Sequence, residues 1–276
     1  MKAKVNQKNL IKKRESLAAN LKSLGSVIVA FSGGVDSALL LALSHEILKD
    51  KVVAVTAMSA INPKTEIDYA KKTADDLGVR HIILQSDILN NSEFLANKKD
   101  RCYICKKNLF QKLKKLGSSM GIQHVAHGAN INDLDDYRPG FKAAQEMGIT
   151  APLIDAQFKK DEIRQLAKEI GLKTWSKPSM SCLATRIPYN TIITENALKM
   201  IEQAENIILN LGFYTCRVRH HGTVARVEII ASDREKFLDK KIRAIIAEKF
   251  KKTGFAHVAV DVEDYTVQGS PKIKLF

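Results

Sequence analysis

The stretch SVIVAFSGGVDSALLLALSHEILKD, residues 26–50, decides the fold. Its first part, SVIVAF (26–31), is a short continuous apolar run, which is typical of a parallel strand covered on both faces. Its last part, ALLLALSHEILKD, predicts a helix. The loop between them is SGGVDS (Ser32–Ser37), whose glycines let the backbone approach a ligand closely. Because the N–H groups that open a helix attract anions, the stretch predicts an anion site between a strand and a helix.

The same alternation of strand and helix continues to about residue 180. It indicates βαβ units, so we expect an α/β fold with a doubly wound parallel sheet. An amphipathic helix is predicted at the amino-terminal end, over residues 2–24. The further predicted strands are 51–59, 80–87 and 122–130, and the further predicted helices are 63–79, 100–120 and 157–172.

The pattern changes at about residue 190, where we expect a smaller α+β domain. A helix (194–211) precedes two strand-like runs, and a further helix leads to a last strand. The three strands are predicted at 215–221, 223–230 and 257–263. The segment SKPSMSCLATRIPYN (176–190) separates two domains, residues 1–180 and 190–276, and we assign the second to substrate binding or oligomerisation.

Composition narrows the class of protein. The chain has 276 residues and no apolar run of about 18, so we expect neither a membrane span nor an apolar signal peptide. Four unevenly spaced cysteines argue for a reducing cytoplasm and against a disulfide framework. The formal net charge of +14 suits anionic partners, but lysines spread along helices for solubility explain it equally well.

Polar residues that could bind a nucleotide lie in two loops. In SGGVDS, Ser32 and Ser37 offer hydroxyl donors, and Asp36 is a carboxylate for a cation. The second loop, HGANINDLDDYRPG (127–140), follows the fourth predicted strand, at the edge where open α/β sheets bind ligands. Its carboxylates suit magnesium, although an acidic solvated loop is the alternative; they are Asp133, Asp135 and Asp136.

The loop SGGVDS is neither a Walker motif nor a dinucleotide GxGxxG motif. After a strand near the amino terminus, SGGxDS resembles the PP-loop of the ATP pyrophosphatases. The resemblance implies that residues 1–180 form a PP-loop domain that grips the pyrophosphate of ATP, with Mg²⁺ at Asp36, while a substrate oxygen is adenylylated. The residues that we expect to bind ATP are Ser32, Gly33, Gly34, Asp36, Ser37, Lys106, Asn130 and Asp133. For Lys106, solvation of its own loop is the alternative.

Four further segments narrow the resemblance. RCYICKK (101–107), DDYRPGFKAA (135–144), SCLATRIPYN (181–190) and RVRHHGTVARVEI (217–229) together resemble the LarE-type ATP-dependent sulfur transferases, over both halves and the total length. That family helps to build the nickel-pincer nucleotide of lactate racemase. The resemblance implies that ATP adenylylates the carboxylates of pyridinium-3,5-biscarboxylate mononucleotide and that sulfur then displaces AMP. It implies a small-molecule substrate, no nucleic acid, no membrane and a homo-oligomer.

The family contains two sources of sulfur, and the cysteines of this chain bear on the choice. Cys182 matches the position of a sacrificial cysteine that loses its own sulfur, allowing a one-residue gap. Cys102 and Cys105 are also present, as in members that are thought to hold an iron–sulfur cluster on three cysteines. A CxxC pair with one distant cysteine suits a [4Fe–4S] cluster with one open iron, which is the assignment that we favour. Sacrificial Cys182, a zinc site and structural packing remain alternatives.

The resemblance also implies residues that handle the substrate. Arg217 and Arg219 share one face of a predicted strand and match the family's phosphate-binding arginines, whereas Cys216 points to the opposite face and reads as core. A surface strand with paired arginines is the alternative for Arg217 and Arg219. Arg186, four positions after Cys182, is assigned with them to the substrate phosphate, and it also suits an anionic intermediate or a lowered pKa of the thiol. Glu205 matches a catalytic position of the family, with a solvated helical charge as the alternative.

Two other functions fit parts of the sequence. A PP-loop tRNA thiolase would suit the positive charge and the three cysteines, although this chain lacks the zinc-ribbon CxxC pairs common in some thiolases. A nucleotide-binding regulator without turnover would use the same PP-loop. The acceptor that drives turnover of ATP distinguishes among the three.

Overall fold

The structure is a computed structural model and describes residues 7–134 and 139–265. Two compact units make up the chain. The first holds the residues up to 59, 64–90 and 99–177, and the second holds 60–63, 91–98 and the residues from 178 onward. The long carboxyl-terminal part therefore starts within the segment where the sequence places a domain break. The return of 60–63 and 91–98 to the second unit is not visible in the sequence.

Helices and strands alternate along most of the chain. In chain order, the first elements are α1 (Gln7–Leu24), β1 (Val27–Ala30), α2 (Val35–Leu48), β2 (Val52–Met58), α3 (Lys64–Asp76), β3 (His81–Gln85), α4 (Ser92–Leu95), α5 (Arg101–Ser119) and β4 (His124–His127). They are followed by α6 (Pro139–Glu146), α7 (Pro152–Asp155), α8 (Lys160–Glu169), α9 (Glu195–Asn210), β5 (Cys216–His221), β6 (Val224–Ile229), α10 (Arg234–Leu238), α11 (Lys240–Thr253) and β7 (His257–Val260).

The first unit is built on a parallel sheet of four strands in the order β3-β2-β1-β4. Flanking helices cover it, so the predicted α/β fold with a parallel sheet is confirmed. Strand β1 lies between β2 and β4, and its last residue, Ala30, is paired with His127 at the end of β4. The loops that follow β1 and β4 therefore leave the sheet at the same edge, side by side.

Strand β1 and helix α2 are buried because their sequences are apolar almost throughout. All of Val27, Ile28 and Val29 are fully buried, and so is the run Leu39–Leu41 of α2. A helix that is hydrophobic on every side is stable only inside a core. The loop between these two elements is consequently held at both ends by well-packed structure.

The second unit contains a sheet of three strands in the order β5-β6-β7. Strands β5 and β6 are antiparallel, whereas β6 and β7 are parallel. This is the predicted smaller α+β domain, although β7 ends at Val260, three residues earlier than the sequence suggests. Its core packs Val218 and Val227 of the sheet with Phe250 of α11. The roles of the two domains in catalysis and assembly stay predictions.

A buried asparagine ties the returning segment 91–98 into the second unit. The Asn97 side-chain amide donates to the carbonyl oxygens of Ile187 (3.3 Å), Pro188 (2.8 Å) and Thr191 (3.0 Å). Because each buried carbonyl needs a donor, this single side chain fixes the turn that follows Arg186.

Within the described ranges, no helix is long and apolar enough to cross a membrane.

Candidate functional site

The segment SGGVDS spans the turn after β1 and the first residues of α2. The hydroxyl oxygens of Ser32 and Ser37 lie 3.2 Å apart, and the Ser37 hydroxyl donates to the Gly34 carbonyl oxygen at 3.1 Å. Gly34 is the N-cap of α2 and no side chain among the described residues caps this helix. No described side chain therefore competes for the N–H groups of the first turn of α2, which supports the predicted anion site.

The loop after β4 approaches the start of α2 so closely that only glycine fits at position 128. A Cβ atom there would lie 2.7 Å from the Ser37 nitrogen and 2.9 Å from its Cα. Both of these atoms belong to the backbone, so they cannot give way as a flexible side chain would. Gly128 thus lets the two loops at the edge of the sheet meet.

Asp36 and Asn130, both predicted to bind ATP, are brought together by this approach. The Asn130 side-chain amide donates to Asp36 Oδ1 at 3.2 Å. The other Asp36 oxygen, Oδ2, accepts from the ammonium of Lys160. Asp36 thus keeps a partly exposed carboxylate at the start of α2, held by an amide on one side and by a cation on the other.

Asp133 stabilises the loop after β4 through a hydrogen bond within that loop. Its Oδ2 accepts from the backbone N–H of Asn130 at 3.0 Å, and the Asn130 Oδ1 accepts from the N–H of Asn132 at 3.0 Å. This reciprocal capping shapes the loop, so the geometry favours a structural role for the Asp133 carboxylate beside its predicted role in ATP binding. Asp135 and Asp136 lie outside the described residues.

Lys160 is a residue that the sequence placed only within a helix. It is the first residue of α8, and its N–H donates to Asn132 Oδ1 at 2.9 Å while its ammonium pairs with Asp36. A cation at a helix N-terminus opposes the helix dipole. That local conflict is the signal in the sequence that could have identified it, because such conflicts concentrate at functional sites.

His127 is a second residue that the sequence did not single out. It ends β4, with its ring between those of Phe110 and Phe141. Burial, and secondarily the charge of Lys106, lowers the pKa of His127 to about 4, so the imidazole is neutral at pH 7. Its buried Nε2 has no hydrogen-bond partner in the described part of the chain. Lys106 itself is exposed on α5, with its ammonium 5.7 Å from the centre of the Phe110 ring.

Cys102 and Cys105 lie on the first turn of α5, three positions apart and half-buried. Residues at this spacing project from the same side of a helix. Cys182 is also half-buried and lies in the second unit, just before a short 3₁₀ turn (Leu183–Arg186). Among the described residues, no group of three or more Cys, His, Asp or Glu side chains is placed to hold a metal ion.

The backbone around Cys182 is held by hydrogen bonds from the buried side chain of Arg186. The guanidinium forms a two-pronged ion pair with Glu205, with Nε–Oε1 and Nη2–Oε2 distances of 2.8 and 3.1 Å. Its Nη1 donates to the carbonyl oxygens of Ser181 (2.8 Å) and Cys182 (3.2 Å). Glu205 in turn accepts from the Val218 N–H at 3.0 Å. This network joins the Cys182 segment, α9 and β5.

These contacts favour positioning roles for Arg186 and Glu205. The Arg186 side chain is only 1% exposed, and its nitrogens are directed at protein acceptors. Burial lowers the pKa of Arg186, but the charge and hydrogen bonds of Glu205, with a smaller contribution from Cys182, raise it overall. The predicted direct contacts of these two residues with substrate stay predictions.

Strand β5 presents Arg217 and Arg219 on one face and buries Cys216 on the other. Cys216 belongs to the hydrophobic core, and burial raises the pKa of its thiol well above the ordinary value, so its predicted packing role is confirmed. Arg219 is occupied by Glu228 (Nε–Oε1 2.7 Å) and by the Thr185 carbonyl oxygen (2.8 Å).

Arg217 is the more available of the two arginines. Its guanidinium lies 4.6 Å from the centre of the Tyr265 ring, and burial lowers its pKa. No acceptor within the described ranges takes a hydrogen bond from it. A stacked guanidinium with unused donors is a geometry that suits a phosphate.

A parallel sheet whose central strand β1 runs through SGGVDS into a buried helix defines a nucleotide-binding protein of the PP-loop class. The asparagine synthase family model, which describes this class of domain, matches residues 13–113. The chain is 35% identical over 254 residues to the pyridinium-3,5-bisthiocarboxylic acid mononucleotide synthase of Lactiplantibacillus plantarum, covering 92% of this chain and 91% of that protein. It therefore belongs to the family of LarE-type ATP-dependent sulfur transferases.

Two other proteins are also similar in sequence to this chain. An uncharacterized protein of Synechocystis is 35% identical over 253 residues, which cover 92% of this chain and 94% of that protein. A tRNA-specific 2-thiouridylase of Thermoanaerobacter pseudethanolicus is 25% identical over 229 residues, covering 67% of this chain and 62% of that protein. The resemblance inferred from the sequence is confirmed, and the chain is an ATP-dependent, sulfur-transferring enzyme.

Proposed function

We propose that this enzyme converts the carboxylates of pyridinium-3,5-biscarboxylate mononucleotide into thiocarboxylates, at the expense of ATP. The observation that carries the proposal is the 35% identity with the bisthiocarboxylic acid mononucleotide synthase over 92% of the chain. The product belongs to the synthesis of the nickel-pincer nucleotide of lactate racemase. A cytoplasmic location and a homo-oligomeric state stay predictions.

The first step is adenylylation. A carboxylate oxygen of the substrate attacks the α-phosphorus of ATP, the bond to the β-phosphate oxygen breaks, and pyrophosphate leaves. The N–H groups at the start of α2 and the hydroxyls of Ser32 and Ser37 are the donors that would hold the phosphates. Mg²⁺ prefers a carboxylate together with phosphate oxygens and water, and Asp36 offers that carboxylate once Lys160 has moved from Oδ2.

The second step is displacement of AMP by sulfur. A carboxylate oxygen is a poor leaving group, whereas AMP is a good one, so adenylylation makes attack on the acyl carbon possible. A sulfur nucleophile adds to this carbon and the bond to the AMP oxygen breaks, which gives a thiocarboxylate. The same two steps then convert the second carboxylate.

For the sulfur source, we propose a [4Fe–4S] cluster held by Cys102, Cys105 and Cys182. The spacing of the first two thiols on one turn of α5, and the partial exposure of all three, support this assignment. Such a cluster would supply sulfide at an iron that no cysteine binds. The alternative is Cys182 itself as donor: its thioester with substrate loses the Cα proton, the Cβ–S bond breaks, and dehydroalanine remains.

Iron content separates these two sources. Protein purified and reconstituted without oxygen is expected to bind about four iron and four sulfide ions per chain, with cluster absorption in the visible range. Cys102→Ala should lose the cluster, whereas Cys216→Ala, which removes a buried core thiol, should retain it. Wild-type protein without iron, but with dehydroalanine at position 182 after turnover, would instead establish the sacrificial cysteine.

Arg217→Ala tests the proposed phosphate contact of the substrate. The substitution removes a guanidinium with unused donors, so the KM for the pyridinium mononucleotide should rise about 10- to 100-fold while the affinity for ATP stays nearly unchanged. Steady-state kinetics with each substrate varied in turn measures the difference. Arg226→Ala is the control, because that arginine of β6 pairs with Glu228 of the same strand and with Asp261, which follows β7. Equal losses for ATP and for the mononucleotide would contradict the assignment.

A PP-loop tRNA thiolase is the second candidate. The formal charge of +14 and the resemblance to a tRNA-specific 2-thiouridylase favour it. Release of AMP and pyrophosphate that depends on the pyridinium mononucleotide, and not on unmodified tRNA, is expected. Turnover that requires tRNA would replace the proposed function by this second one.

A further inference from the structure

A lysine outside the predicted ATP site touches the PP-loop. The Lys177 ammonium donates to the Gly33 carbonyl oxygen at 3.3 Å. It also pairs with Glu66 Oε2 at 2.9 Å and lies 3.9 Å from the centre of the Tyr69 ring. Glu66 and Tyr69 both belong to α3, so Lys177 links α3 to the loop that is proposed to bind ATP.

The backbone of the short segment that carries Lys177, Trp175–Lys177, is also fixed. Arg164 of α8 donates to the carbonyl oxygens of Trp175 and Lys177, the latter at 3.0 Å. The ammonium of Lys168 lies 4.7 Å from the centre of the Trp175 ring. Lys177 is therefore held at its backbone by α8 and at its ammonium by α3. Trp175, the only tryptophan of the chain, has a structural role here, because its ring stacks against Lys168 of α8.

The peptide that Lys177 touches is one that can easily turn over. Gly33 has a φ of 74°, and a second glycine, Gly34, follows it. Glycines populate positive and negative φ almost equally, so the peptide between them has little intrinsic preference. In a planar trans peptide, the C=O and the following N–H point in opposite directions. An ammonium on the Gly33 carbonyl therefore turns the Gly34 N–H to the other side, where it donates to the hydroxyl oxygen of Ser32, a residue of the predicted ATP site, at 3.5 Å.

We propose that Lys177 is a positioning residue that locks the Gly33–Gly34 peptide, so that the Gly34 N–H faces the phosphates of ATP. The inference rests on the proposed ATP site and adds a residue to it. Lys177 acts through the peptide and not on the nucleotide, because the Glu66 carboxylate and the Tyr69 ring hold its charge. If the carbonyl turned inward instead, it would present a negative dipole to the phosphates and remove one donor.

Binding of nucleotides to the full-length protein, measured by calorimetry, tests this role. Lys177→Met should weaken binding of ATP and of pyrophosphate about tenfold, the effect of one well-placed hydrogen bond to a charged group. Binding of AMP, which lacks the two outer phosphates, should change less than about twofold by the same reasoning. Lys173→Met is the matched control, because Lys173 lies in the same part of the chain and pairs with Asp76 at the surface.

Two further variants keep the test decisive. Lys177→Arg retains the charge and should restore most of the affinity for ATP, even if Lys177→Met lowers stability. Glu66→Gln should weaken ATP binding, because it loosens the lysine that orients the peptide. Tighter ATP binding by Glu66→Gln would overturn the inference, since it would make Lys177 a direct ligand of phosphate. If the wild type and Lys177→Met bind ATP with equal affinity, the inference is wrong and the proposed function stands. If the wild type does not bind ATP, the proposed function is wrong as well.

Discussion

Replacement of Cys182 by alanine is expected to abolish thiocarboxylate formation while leaving the release of pyrophosphate measurable. Both proposed sulfur sources depend on this thiol, either as a ligand of the cluster or as the donor itself. In the proposed mechanism, the adenylylation step uses the PP-loop in the first unit and does not require the Cys182 thiol. We therefore expect a loss of sulfur transfer of about 10³-fold or more, with ATP-dependent pyrophosphate release retained for at least one turnover.

The control for this experiment is Cys216→Ala. Cys216 is buried in the core of the second unit, with its sulfur 3.8 Å from the Glu205 carbonyl oxygen. Its loss should lower stability by about 1 kcal/mol, an ordinary cost for a core substitution, and should leave sulfur transfer intact. Mass spectrometry of the product, together with a pyrophosphate assay, reads both steps. Normal thiocarboxylate formation by Cys182→Ala would contradict the account of the sulfur source.

Replacement of Lys160 by methionine is expected to slow adenylylation about 10²- to 10³-fold, the usual effect of removing a preorganised charge from the position where negative charge develops. Lys160 provides the cation that pairs with Asp36 at the start of α2. If Mg²⁺ binds the Asp36 carboxylate, the Lys160 ammonium would be free to reach the departing pyrophosphate. In Lys160→Met, the positive charge that offsets the Asp36 carboxylate beside the proposed phosphate site is lost.

Lys159→Met provides the matched control, because it removes the same charge one residue earlier on an exposed side chain. Exchange of labelled pyrophosphate into ATP, measured over a range of Mg²⁺ concentrations, reports the step directly. Lys160→Arg should recover only part of the rate, because a guanidinium is larger and differently shaped than an ammonium. Equal exchange rates in Lys159→Met and Lys160→Met would remove Lys160 from the site.

The alternation of apolar runs and amphipathic stretches in the sequence predicted which segments form strands and which form helices. The apolar run before SGGVDS is β1, and a helix follows as the alternation predicts, although α2 begins at Val35, within SGGVDS, rather than at Ala38. The helix predicted over 157–172 is shorter, because Gln157 adopts a positive φ of 60° and the helix begins only at Lys160. Strand and helix types follow from periodicity, whereas their exact ends depend on such single backbone angles.

Partners far apart in the sequence could not be predicted in this way. The Asp36–Lys160 pair spans 124 positions and the Lys177–Gly33 contact spans 144, and no periodic pattern records which distant residue faces which. The burial of Arg186 is another example, since a lone arginine four positions after a cysteine reads equally well as a ligand of substrate. The sequence motif predicts where ATP binds, and the packing of α8 and α3 around it supports the roles that we propose for Lys160 and Lys177.

The most direct test of the proposed function is the mass of the product formed by the purified, anaerobically reconstituted enzyme. The reaction contains Mg²⁺, ATP, inorganic sulfide and pyridinium-3,5-biscarboxylate mononucleotide. The account predicts that one and then two carboxylate oxygens of the mononucleotide are replaced by sulfur, with one AMP and one pyrophosphate released for each exchange. An unchanged mononucleotide, together with a thiolated nucleoside recovered from tRNA in a parallel reaction, would contradict it.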